Sequence, residues 1–136
     1  MKTILLVVMI LWVIVVRALS GCSIEKESQD KVKDLEFTVI GENEIPEELQ
    51  KVILDKQVQP FKLTFSDDQN LYIVVGYGVQ ESGGYSISVS DLYLTENSIV
   101  IDTELQGPEK GTAASAASYP YIVVKTAYME QPVIFQ

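Results

Sequence analysis

The sequence has no histidine, a single cysteine and a single tryptophan. Without histidine the chain lacks the side chain that most often serves as general base and metal ligand near neutral pH. With Cys22 as the only thiol, neither a Ser-His-Asp nor a Cys-His site can be assembled, and no disulfide can close within the chain. Zinc held by the usual Cys and His ligands is excluded for the same reason. A Ser-Lys dyad with Lys62, Lys110 or Lys125 as base is formally open, but no motif accompanies it. The expectation is a protein that is not an enzyme and that carries no metal and no cofactor.

Positive charge is also scarce. Ten Lys and Arg stand against 19 Asp and Glu, a net of −9. Lys2 and Arg17 precede Cys22 and no acid does, so residues 22–136 carry −11. Such a chain lacks the basic footprint that reads phosphates, which argues against nucleic acid as a partner. Anionic lipid head groups repel it, and the acidity itself favours solubility. Glycine (8) and proline (5) are too few, and the apolar share of 47% too high, for a disordered chain.

A long apolar run is missing too. The longest, Ile4 to Val16, has 13 residues. A spanning helix takes about 20, and Arg17 interrupts any extension. Lys2, the apolar run and the small residues Ser20-Gly21 follow the order of an export signal. Leu19-Ser20-Gly21-Cys22 is similar to a bacterial lipobox, in which the cysteine receives a diacylglyceryl group and becomes the first mature residue. Each buried methylene contributes about 0.8 kcal/mol, so two acyl chains anchor firmly where one would not. The expected organisation is a signal peptide over 1–21, a flexible lipid-proximal tether over 22–33 and one globular domain over 34–136. The expected location is the bacterial cell membrane, with the domain facing outside the cytoplasm. An uncleaved signal anchor is the alternative, kept open by Arg17.

Within the domain, Leu35, Phe37 and Val39 alternate with Glu36, Thr38 and Ile40 as a strand does. From Glu42 to Gln57 the period becomes helical, with Pro46 in the first turn and Leu49, Val52, Ile53 and Lys56 on one face. From Pro60 the chain reads as strands separated by turn clusters. Phe61, Leu63 and Phe65 alternate, Leu71 to Val75 is apolar throughout, and Tyr85, Ile87 and Val89 alternate with serines. Ile99 to Leu105 and Tyr119 to Thr126 follow, and Val133-Ile134-Phe135 is a candidate short strand. Asp67-Asp68 is an acidic pair without calcium-loop spacing and reads as a solvated turn. The pattern predicts a mainly β fold: a small antiparallel sandwich or partly open barrel, with one short N-terminal helix covering one end.

Three glycine- and tyrosine-containing segments lie at strand ends: Gly76-Tyr77-Gly78 with Gly83-Gly84-Tyr85, then Gly107-Pro108, then Tyr119-Pro120-Tyr121. Gly83-Gly84-Tyr85-Ser86-Ile87, the Gly-Pro loop and Tyr119-Pro120-Tyr121-Ile122-Val123 together resemble the C-terminal domain of the protease complex subunit PrcB family. That resemblance spans roughly Leu71 to Thr126. It implies a bacterial envelope lipoprotein that acts as an accessory or interaction subunit, the founding example serving a cell-surface serine protease complex. The expected partner is therefore an envelope protein such as a protease.

A looser likeness is to chagasin-type cysteine protease inhibitors, which also present a Gly-Tyr turn on an immunoglobulin-like sandwich. This chain has Gln80-Glu81-Ser82 where they have Asn-Pro-Thr-Thr, and Tyr119-Pro120-Tyr121 where they have Arg-Pro-Trp. A protease inhibitor, or a cell-wall binder stacking Tyr77, Tyr85, Tyr119 and Tyr121 on sugar rings, are the alternatives. Gly83, Gly84, Tyr85, Gly107, Pro108, Tyr119, Pro120 and Tyr121 are the candidate protein-binding loop residues, expected to converge at one end of the sheet. Tight turns and tyrosines capping the core are the competing account of the same residues.

Mass spectrometry of the mature protein should find Cys22 at the N-terminus carrying diacylglyceryl. A Cys22→Ala variant should lose that mass and its membrane association together.

Overall fold

The computed structural model describes residues 30–112 and 115–136. The expected export signal, Cys22 and the first part of the expected tether lie outside these residues.

From Pro60 onward, the turns fall where the polar clusters stand. Phe61, Leu63 and Phe65 share one face of β3 (Pro60–Ser66). Asp67 Oδ1 then accepts the N–H groups of Gln69 (2.9 Å) and Asn70 (2.7 Å), which turns the chain into β4 (Asn70–Tyr77). Both bonds favour the ionised carboxylate and hold its pKa below the ordinary value. β5 (Ser86–Leu94) passes to β6 (Ile99–Gln106) through a turn whose ends are buried and whose tip, Glu96-Asn97, is exposed; Thr95 Oγ1 accepts the Ser98 N–H there at 3.0 Å. β7 (Tyr121–Ala127) and β8 (Val133–Phe135) complete the chain.

The strands form two sheets. One has the order β1 (Lys33–Asp34), β5, β6, β8, and the other β2 (Thr38–Val39), β7, β4, β3. They face each other as an open sandwich and do not close into a barrel. Every pairing is antiparallel except β6 with β8, which is parallel. The sandwich is antiparallel as expected, with this one parallel pairing added at an edge. The Ile99 N–H donates to the Pro132 carbonyl at 2.8 Å, so the chain leaving β7 arrives beside the first residue of β6 and runs on in the same direction.

Leu71, Ile73 and Val75 of β4 and Ile122 and Val124 of β7 fill the space between the sheets with Leu92, Ile99 and Ile101. The intervening residues Tyr72, Val74 and Val123 face the other way and pack under α1 (Glu47–Lys56) with Leu49 and Ile53. β4 is thus buried on both faces, which explains its unbroken apolar run. The helix covers the outer face of the second sheet, not the end of the sandwich. Pro46 stands immediately before its first residue, and only Leu49 and Ile53 are buried. Val52, placed on the packed face by spacing, is 39% exposed. The i, i+4 pair is enough because the helix meets the sheet along a narrow stripe.

The N-terminal alternation is also resolved differently. The segment is two short strands, not one: β1 pairs with β5 and β2 pairs with β7. The chain crosses between sheets at Leu35–Phe37, where Thr126 Oγ1 donates to the Glu36 carbonyl at 2.7 Å. Val39 registers with Val124 on the inter-sheet face, at an edge the first sheet does not cover, while Ile40 turns to the other face and packs under the helix. Leu35 and Ile40 are buried, while Phe37 and Val39 are exposed.

Leu49→Ala or Ile53→Ala should cost about 2–5 kcal/mol in urea unfolding, as for other buried truncations. Val52→Ala should stay within about 0.5 kcal/mol.

Candidate functional site

The connections β4–β5, β6–β7 and α1–β3 all leave from one end of the sandwich. The first two are joined directly. Gln80 and Ser118 exchange backbone hydrogen bonds of 2.8 and 3.1 Å, and Ser118 Oγ donates to the Ser82 carbonyl at 2.7 Å. Gly84 lies against Pro108, so that a Cβ added to it would stand 2.8 Å from Pro108 Cβ. Its φ of +88° lies in the region that side chains disfavour. Gly107 lies next to the Tyr85 ring, whose Cε1 would be 3.5 Å from a Cβ there. Gly84-Tyr85 and Gly107-Pro108 therefore pack as one unit.

Tyr85 and Tyr119-Pro120-Tyr121 meet at a groove of about 380 Å³. Ile87 and Ile122 line it from the two sheets, and Val39, Ile40, Gly41, Glu42 and Ile45 line it from the N-terminal segment. Glu42 is the single charged side chain among the lining residues. Burial pushes the Tyr121 hydroxyl pKa up, and the nearby Glu42 carboxylate adds to the shift. Around the rim, Tyr119 is 40% exposed and Leu54, which shares a smaller hollow with Tyr121, is 65% exposed. Val58 and Val79, hydrogen-bonded to each other at 3.2 Å, are exposed at the same end.

Tyr85, Tyr119, Pro120 and Tyr121 are thus brought together at one surface. Gly83, Gly84, Gly107 and Pro108 belong to the loops behind Tyr85 and do not line the groove. Gly76 and Tyr77 face internal partners. The Phe61 ring lies over Gly76, where a Cβ would come within 2.1 Å of Phe61 Cε1. The Tyr77 hydroxyl pairs with Thr103 Oγ1 at 2.5 Å across the sandwich. Sequence reasoning missed the contribution of Val39–Glu42. Those residues enter the site only because the chain crosses from one sheet to the other, which no local pattern announces. Among the described residues no group of three Asp, Glu, Cys or His side chains is placed to hold a metal. No described helix is long and apolar enough to cross a membrane.

Gly84→Ala should destabilise the fold by about 1–3 kcal/mol through its backbone angle, with the Pro108 contact adding to the loss. In a Pro108→Gly background the contact part should vanish and the backbone part remain. Equal losses in both backgrounds would show that the two loops do not press on each other.

No curated protein and no solved structure matches the chain. Residues 71–127 match the model of the PrcB C-terminal family, a stretch running from the second residue of β4 to the last residue of β7. It contains the Gly-Gly-Tyr, Gly-Pro and Tyr-Pro-Tyr segments, and this part of the chain is a PrcB C-terminal domain.

Proposed function

We propose that the protein is a non-catalytic subunit, anchored to the bacterial cell membrane through lipid on Cys22, that holds a partner of a cell-surface protease complex outside the cytoplasm. The observation that carries this reading is the PrcB C-terminal domain over 71–127, which points to association with a protease complex. The missing histidine and lone cysteine support a binding role over a catalytic one. The gathering of Tyr85, Tyr119 and Tyr121 with exposed Leu54, Val58 and Val79 supports the loop end as the contact surface. Aromatic side chains around a desolvated hollow are the usual anchors of protein interfaces. A lipid tether would raise the local concentration of the domain near a partner held at the same membrane.

The test is crosslinking in intact cells followed by affinity capture of the full chain. A secreted serine protease or another subunit of its complex should be recovered, with recovery falling at least about tenfold for Tyr119→Ala, the scale of one anchor worth about 1.4 kcal/mol. Capture of no envelope protein would contradict the subunit role. Recovery of a protease that is inactive while bound and active when released would move the reading to an inhibitor.

A further inference from the structure

The groove beside Tyr121 is an incomplete sheet edge. In an antiparallel ladder, successive residues of a strand turn their N–H and C=O groups alternately to one side and the other. The Tyr77 N–H donates to the Pro120 carbonyl at 3.0 Å, so Pro120, Ile122 and Val124 present their backbone groups to β4. The Ile40 N–H donates to the Val123 carbonyl at 3.0 Å, so Tyr121, Val123 and Lys125 present theirs to the opposite side. On that side β2 covers Lys125 and Val124, and Ile40 reaches Val123. The chain then leaves. Glu44 N–H bonds back to the Gly41 carbonyl and Ile45 N–H to the Glu42 carbonyl, closing the 3-10 turn Glu42–Glu44. The Tyr121 N–H and C=O are left facing the groove with no backbone partner among the described residues.

The facing sheet is open at the same level. β1 pairs only with Leu94 and Tyr93 of β5, and Leu35 N–H reaches the Leu92 carbonyl. Ser86–Val89 have no neighbour on that side among the described strands. A bulge between Val89 and Asp91 interrupts the β5 ladder, a device that makes an edge a poor template. The β7 edge has no bulge in its pairing with β4.

We propose that the β7 edge at Tyr121 is a strand-addition site for an extended apolar segment of the partner protein, bearing an Arg or Lys that meets Glu42. The proposal rests on the subunit reading above and deepens it. The added strand takes hydrogen bonds from the Tyr121 backbone. Its inward side chains lie between the sheets with Tyr85, Ile87 and Val39, and its outward ones beside Ile45 and Tyr121. Charge selects the sign of the occupant. Glu42 is the single charge lining the groove, and no cation offsets it there.

The test uses the full chain in detergent micelles and fluorescent peptides of about six residues, the usual strand length. One peptide alternates Val and Ser and carries Arg at one end; a second has Glu in place of Arg; a third keeps the Arg sequence with alternate backbone nitrogens methylated. The Arg peptide should bind at least about tenfold more tightly than the Glu peptide, a difference of about 1.4 kcal/mol. Glu42→Lys should reverse that order, and the methylated peptide should lose binding although its side chains are unchanged. Equal affinity for the Arg and Glu peptides, undiminished binding of the methylated one, or no binding by any of them would overturn the proposal. So would a concentration-dependent dimer in light scattering that the Arg peptide fails to dissociate, because the edge would then be taken by a second copy. If crosslinking recovers a protease-complex partner that neither Glu42→Lys nor excess Arg peptide displaces, the subunit reading stands and this mode of binding falls.

Discussion

The fold depends on one pair of strands being buried on both faces. β4 and β7 are hydrogen-bonded over seven registered positions, from Asn70 with Ala127 to Gly76 with Tyr121. Their alternate side chains serve two cores. Ile73, Val75, Ile122 and Val124 meet the first sheet, and Tyr72, Val74 and Val123 meet the helix. A pair this apolar is insoluble unless something covers each side. The first sheet covers one side, and α1 covers the other, where Phe61, Leu63 and Phe65 of the neighbouring β3 extend the apolar face.

The domain stretch 71–127 contains the β5–β6 pair of one sheet and the β7–β4 pair of the other. Those four strands form the centre of the sandwich. The segments upstream and downstream contribute edges and the helix. The upstream segment is short for its task. It pairs with β5 through β1, crosses at Glu36 under the Thr126 hydroxyl, and pairs with β7 through β2. It then has to leave the edge to place Leu49 and Ile53 over Val74 and Val123. Covering the outer face therefore leaves the upper part of the edge uncovered, and the loops carrying Tyr85 and Tyr119 rise on either side of it.

Much of this was legible in the sequence where period and burial coincide. The Phe61-Leu63-Phe65 alternation marked a strand with one packed face, and the apolar run over 71–75 marked a central one. The helix begins one residue after Pro46, which caps it instead of standing in its first turn. The misreadings share one cause: a residue's burial is set by which sheet or helix covers it, and period does not encode what lies opposite. Val39 shares the inter-sheet face with Val124, as its alternation with Leu35 implies, yet is exposed, because the chain has crossed to an edge that the first sheet leaves open. The parallel course of β8 follows from where the chain leaves β7, and the glycines at 76 and 84 are explained by Phe61 and Pro108, distant in sequence. The tyrosine loops were visible as a set, but the Val39–Glu42 side of the groove was not.

The central claim is that β7 is half-finished at its start, and amide hydrogen exchange of the full chain, read residue by residue, addresses it most directly. The N–H groups of Ile122 and Val124 point to β4 and should exchange only with global unfolding, whereas that of Tyr121 should exchange near the unprotected rate. Protection of Tyr121 equal to that of Ile122 would contradict the account, since the edge would then already be covered.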